Sequence, residues 1–161
     1  MKKLLSALLV LVMLLSLPGV GALAASDGLT WSLDKKGTLT ISGKGEMPNY
    51  SGDTPPWEKY RDDIKAVVIE EGVTHIGTQC FQFCTNLKSV TIPSSVESIG
   101  AAAFYRCEKL SAVYYGGTAS DWDEIEIARY NKRLTSAELV FSDTETSAPA
   151  PFEKPVGGKL K

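Results

Sequence analysis

Residues 64 to 115 return on themselves at a fixed interval of 23 residues. Ile64, Val67 and Ile69 are followed 23 positions later by Leu87, Val90 and Ile92, and then by Leu110, Val113 and Tyr115. The agreement runs past this hexad: Val73 matches Val96, Ile76 matches Ile99, Gly77 matches Gly100, Phe81 matches Phe104 and Cys84 matches Cys107. Position by position, the two complete units share 8 identities in 23. A period of this length belongs to stacked-repeat architectures, in which each unit is too small to bury its own apolar face and a core forms only by stacking.

The unit Leu87 to Lys109 shows how one coil is built. Alternation puts Val90 and Ile92 inward on a short strand. Pro93-Ser94-Ser95 cannot extend that strand and turns the corner. Val96 and Ile99 make a second inward segment, and Gly100 turns again. Ala101 to Cys107 reads as a short helical turn that drives Phe104 into the middle.

The flanks read as closures. Leu29, Trp31 and Leu33 alternate with polar residues, as do Leu39 and Ile41 beyond a Gly37-containing loop, which is the signal of a β-hairpin. Pro55-Pro56-Trp57 suits a helix start, and Trp57, Tyr60 and Ile64 define one apolar face. After Tyr115 the pattern changes. Thr118 with Asp121 three residues on has the form of a helix N-cap, and Ala137 to Phe141 reads as a last strand. A repeat stack needs such ends, because an open edge templates aggregation.

The first 25 residues read as a secretory signal peptide. Lys2-Lys3 gives a positive start, Leu4 to Leu17 is nearly all apolar, and Ala22-Leu23-Ala24 supplies a small-residue cleavage site, with the cut after Ala24 or Ala25. The apolar run of about 14 residues is short of the roughly 20 that a span needs. Removing residues 1–24 takes two lysines and no acids, leaving 15 basic and 19 acidic residues and a net charge of −4. No basic stripe of the kind nucleic-acid binding requires is present, so a nucleic-acid partner is not expected. The expected domain plan is a signal peptide over 1–25, an N-terminal cap of hairpin plus short helix over 26–63, and repeats over 64–115. A C-terminal cap over 116–142 and a Pro-rich, disordered tail over 143–161 complete it.

Catalytic and metal chemistry find little support. His75, the one histidine, falls on an outward position whose counterpart is Ser98, and no nucleophile-elbow motif accompanies it. Cys80, Cys84 and Cys107 lack the paired spacing of a zinc site. Cys84 and Cys107 share a repeat position behind the Phe, where a thiol packs as a small apolar residue. A bridge between them is within reach of adjacent coils, but the expectation is reduced packing. Asp121, Asp123, Glu124 and Glu126 could serve paired-carboxylate sugar hydrolysis, though a solvated face of the capping helix accounts for them more simply. No cofactor or metal is expected.

What remains is surface. With hexad positions 4 and 6 inward, position 5 faces out, giving the column Val68, Thr91 and Tyr114 flanked by Lys65 and Lys88 at position 2. These five are the candidate ligand-binding residues, since repeat proteins bind along their strand-lined faces and aromatic and basic anchors recur at interfaces.

Lys88-Ser-Val-Thr-Ile-Pro93 through Gly100-Ala-Ala-Ala-Phe104-Tyr-Arg-Cys107 resembles the BspA-type, or treponemal, leucine-rich repeat. The first unit departs from that pattern in Glu70-Glu71-Gly72 and in Cys80. Trp31 to Gly43 with Pro56-Trp57 is similar to the family's lead-in, and Tyr114 to Trp122 to its closing segment. The resemblance implies an α+β repeat solenoid: a short leucine-rich-repeat coil stack of 23-residue units, each of short strands plus a short helix. An N-terminal β-hairpin and a C-terminal helix and strand cap it. It further implies a secreted, extracellular or cell-surface bacterial protein without shared catalytic residues, some of whose relatives are associated with adhesion. The expected partner is a protein or glycan at a host, matrix or cell-envelope surface, met by a monomer with no membrane span once the signal is removed. A passive spacer in a larger surface protein and a glycan-acting enzyme or accessory domain are the alternatives.

Overall fold

The computed structural model describes residues 20–22, 28–51 and 54–142. Most of the expected signal segment and the whole Pro-rich tail lie outside them. Among the described residues eleven strands form two sheets. Strands β1 (Val20–Ala22), β2 (Leu29–Leu33), β3 (Thr38–Gly43), β5 (Ala66–Ile69), β7 (Ser89–Ile92), β9 (Ala112–Tyr115) and β11 (Glu138–Phe141) make the larger, in that order. Strands β4 (Gly45–Glu46), β6 (Val73–Ile76), β8 (Ser98–Ile99) and β10 (Glu126–Ile127) make the smaller. The result is a strand-rich repeat fold with few short helices. The two sheets remain separate, and no closed solenoid forms among the described residues.

The 23-residue period is realised as pairing register. Ala66, Ser89 and Ala112 are successive partners across three parallel strands, as are Val67, Val90 and Val113. The expected hairpin is β2 and β3, with Trp31 opposite Ile41. Its second strand does more than close the end: β3 pairs in parallel with β5, setting Leu39 beside Val67 and Ile41 beside Ile69. The last strand continues the same columns, with Leu139 opposite Val113 and Phe141 opposite Tyr115. In the smaller sheet Ile76, Ile99 and Ile127 stand side by side.

The third side of each unit differs from expectation. Neither Thr78–Cys84 nor Ala101–Cys107 is a helical turn; both are runs of tight turns. Gln79, Phe83, Ala102 and Arg106 take left-handed φ values of 61°, 62°, 55° and 60°. Residues in that region break the helical i to i−4 pattern, which frees alternate N–H groups of the turns to bond the next coil. Gln79, Phe81 and Phe83 donate to the carbonyls of Ala101, Ala103 and Tyr105 at 3.1, 2.9 and 2.8 Å. The repeat is two strands and a turn ladder, not strands plus a helix.

This ladder brings the coils close. A Cβ on Gly77 would lie 1.9 Å from Pro48 O, and one on Gly100 2.5 Å from Thr78 N. The glycine shared by both units is therefore required by the neighbouring backbone, not by a special φ. Inside, the rings of Trp57, Phe81 and Phe104 stack at centroid distances of 5.6 and 5.3 Å, all fully buried. Trp57 takes the Phe position of the preceding coil, and its Nε1–H donates to Cys80 O at 2.9 Å. The helix expected around it is a single 3-10 turn, Glu58–Tyr60.

After β9 the helix expected behind Thr118 is α1 (Ala119–Glu124). Thr118 and Asp121 bond reciprocally: the Thr118 N–H and Oγ1–H donate to Asp121 Oδ2 at 2.8 Å each, and Thr118 Oγ1 accepts the Asp121 N–H. Trp122 packs edge-on to Tyr115 with centroids 5.2 Å apart. A second short helix, α2 (Lys132–Thr135), buries Leu134.

Candidate functional site

The five residues expected to bind a ligand fall on the larger sheet. Val68 is the register partner of Thr91, and Thr91 of Tyr114. All three are half-buried, whereas Lys65 and Lys88 are exposed just ahead of their strands. The Lys88 N–H donates to Lys65 O at 2.8 Å, which holds the two lysines one coil apart. The column is longer than the repeat count implies. Thr40 on β3 partners Val68, and Val140 on β11 partners Tyr114. Those two additions escaped the sequence because the segments after β3 and before β11 interrupt the 23-residue spacing, with register offsets of 28 and 26 residues.

At the hairpin end this face borders an open depression of about 370 Å³ lined by Leu33, Asp34, Tyr60, Asp63 and Lys65 among others. It holds two carboxylates and, with Lys35 and Lys65, two ammonium groups, a polar recess suited to hydrogen-bonded contact.

Groups capable of chemistry are otherwise engaged. His75 Nδ1 and Ser98 Oγ lie 2.8 Å apart, and His75 Nε2 is 3.5 Å from Asn49 Oδ1. That is a hydrogen-bonded pair on the smaller sheet, and among the described residues no carboxylate bonds the imidazole as the third member of a nucleophilic set would. Asp121 is committed to Thr118, whose hydrogen bonds hold its carboxyl below the usual range. Asp123, Glu124 and Glu126 are exposed around it. All three cysteines are free and buried. Among the described residues no group of three or more His, Cys, Asp or Glu is placed to hold a metal ion. Nor is any helix among them long and apolar enough to cross a membrane.

A second surface was not foreseen. Phe83 and Tyr105 are 45% and 39% exposed and meet edge-to-face with centroids 5.8 Å apart on the turn ladder. Their signal was available: they stand where the two units disagree, Phe83 against Arg106 and Gln82 against Tyr105.

Residues 59–145 match the family described as BspA type Leucine rich repeat region (6 copies). The chain belongs to the BspA-type leucine-rich repeat family. Its coordinates are similar to a crystal structure of a leucine-rich repeat protein from Eubacterium ventriosum, with 37% sequence identity and a TM-score of 0.56. The likeness covers 61% of this chain and 26% of that one, so the chain spans about a quarter of that protein's length. No curated protein matches the chain. Leucine-rich repeat domains generally mediate protein interactions and are typically non-enzymatic, and BspA-type members are often surface-associated.

Proposed function

We propose that this chain is an exported, non-enzymatic interaction module that attaches to a protein at a host, matrix or cell-envelope surface. Contact runs through the outward face of β5, β7 and β9. The observation carrying this reading is the register itself: Val68, Thr91 and Tyr114 form one row, with Lys65 and Lys88 exposed beside it. Tyr114, at the β9 end of the row, is an aromatic anchor of the kind that interfaces favour. Export rests on the positive, apolar and small-residue segments of residues 1–25. Cleavage there removes β1 and opens the edge of β2. Hairpin and C-terminal elements then act as the caps of a short coil stack carried by a monomer.

The test is a binding screen of the purified protein against immobilised matrix and cell-envelope proteins. The variant Lys65→Ala/Lys88→Ala/Tyr114→Ala is run beside it. Saturable binding that the triple variant weakens by about tenfold or more is expected, since losing one good anchor alone costs over 1 kcal/mol. Undiminished binding would remove the strand face from consideration.

A further inference from the structure

The chain has four arginines against thirteen lysines, and all four gather on the turn-ladder side or at its C-terminal end. Three lie over aromatic rings: Arg61 over Phe83 at 6.0 Å, Arg106 over Tyr105 at 5.8 Å and Arg129 over Tyr130 at 5.3 Å. The fourth, Arg133, bonds Glu108, which also pairs with Arg106 at 3.5 Å. Hydrogen bonds join these positions into one surface. Phe83 N–H donates to Tyr105 O at 2.8 Å, and Ala102 N–H to Arg129 O at 2.9 Å.

Three features set this strip apart from an ordinary solvated face. Tyr130, Phe83 and Tyr105 are 61%, 45% and 39% exposed, three of the four large apolar side chains exposed among the described residues. Phe83 and Arg106 occupy left-handed backbone, where Gly or Asn would cost least, so backbone conformation does not account for these side chains. Finally, the guanidinium groups outnumber their partners. Arg61 pairs with Glu58, Arg106 and Arg133 share Glu108, and Arg129 makes no ion pair among the described residues. A local excess of positive charge on a chain of net negative charge is complementary to an anion.

We propose that the turn-ladder strip is a second recognition surface, separate from the strand face, and that its ligand is an extended acidic peptide segment of a partner protein. Arg129, laid on the Tyr130 ring without an ion pair among the described residues, keeps its N–H edge free to take a carboxylate bidentately. The edge-to-face step between Phe83 and Tyr105 takes an apolar side chain. From the coil of Arg61 to that of Arg129 is three coil steps of about 4.8 Å, the reach of about four to five extended residues. A polyanionic sugar offers the same charge but no apolar side chain for the aromatic step, which is why a peptide fits better.

The test uses a labelled peptide of alternating Glu and Leu, titrated with the purified protein and followed by fluorescence anisotropy. Its Gln-for-Glu counterpart and hyaluronan oligosaccharides are run as competitors. Arg129→Gln is expected to weaken peptide binding about tenfold, as is Phe83→Asn, a substitution that the left-handed backbone accepts. Both should retain the parent melting temperature, and affinity should fall with added salt. The strand-face triple variant should bind the peptide normally, which separates this proposal from the one above. The proposal is overturned by equal affinity for the Gln counterpart, by unchanged binding in Arg129→Gln, or by hyaluronan displacing the peptide at lower concentration than the unlabelled peptide itself.

Discussion

Cys84 stands behind Phe81 in the position that Cys107 fills behind Phe104, and both are fully buried. Burial pushes the Cys84 thiol from its ordinary 9.0 up to about 12, with Arg61 opposing and Asp62 adding to the rise. A thiol whose pKa is raised by folding supports the fold wholly below the unfolded value, and that support is lost as pH climbs through the folded one. The folded protein is therefore expected to lose stability between pH 9 and about 12, and Cys84→Ala to lose less across that window. Urea midpoints measured at steps of pH check it, and equal slopes in the two proteins would refute it. The repeat register alone placed Cys84 and Cys107 in the core. It could not place Cys80, whose unit-two counterpart is Ala103. Cys80 is buried too, its Sγ 3.5 Å from Pro48 O, because the irregular stretch after β4 folds over it. A loop without periodicity leaves no trace of where it packs.

At the scale of elements, the turn ladder needs an ending. Where a further coil would offer a carbonyl to Phe104, the chain offers the side chain of Asn131, which accepts the Phe104 N–H at 3.0 Å. The same amide donates to Gly100 O and Ala128 O at 2.9 Å each, and the residue is only 3% exposed. Asn131→Leu leaves a buried donor and two buried acceptors without that partner. At about 1–3 kcal/mol for each unsatisfied group, it is expected to cost at least about 2 kcal/mol. Denaturant unfolding measures the cost, with Lys132→Ala as a neutral neighbour; a loss under about 0.5 kcal/mol would mean that the ladder closes by other means. The α1 N-cap was legible because Thr118 and Asp121 sit at the spacing a capping box requires. The Asn131 plug was not, since its three partners lie 31, 27 and 3 residues away.

For the molecule as a whole, the aromatic stack and three hydrogen-bond ladders tie each coil to its neighbours. Long repeat arrays unfold piecemeal, but a stack this short is expected to unfold in one step. The tryptophans report on both ends. Trp31 and Trp57 pack together at the hairpin, with centroids 6.0 Å apart, and Trp122 sits on α1 against Tyr115. The fluorescence of Trp122→Phe, which sees only the hairpin end, should follow the same urea transition as the far-ultraviolet circular dichroism. Separate midpoints would show that the ends melt independently. The same architecture presents two distinct faces to solvent, the strand row around Thr91 and the arginine–aromatic strip around Tyr105.

The sequence by itself determined the coil. Its period set the parallel register, the alternation of Val90 and Ile92 set which side chains enter the core, and the capping pair set where α1 begins. These are local or strictly periodic properties, and one coil's residues specify them. The tertiary structure decided what happens between unlike coils. It replaced the expected helical turn by a left-handed turn ladder, in which alternate N–H groups, those of Gln79, Phe81 and Phe83, take their partners from the next coil. It made Trp57 the first ring of the stack and Asn131 its plug. It also gathered four arginines, spread over residues 61 to 133, about one end and side of the turns. Such meetings depend on distances across coils, and spacing along the chain does not encode them.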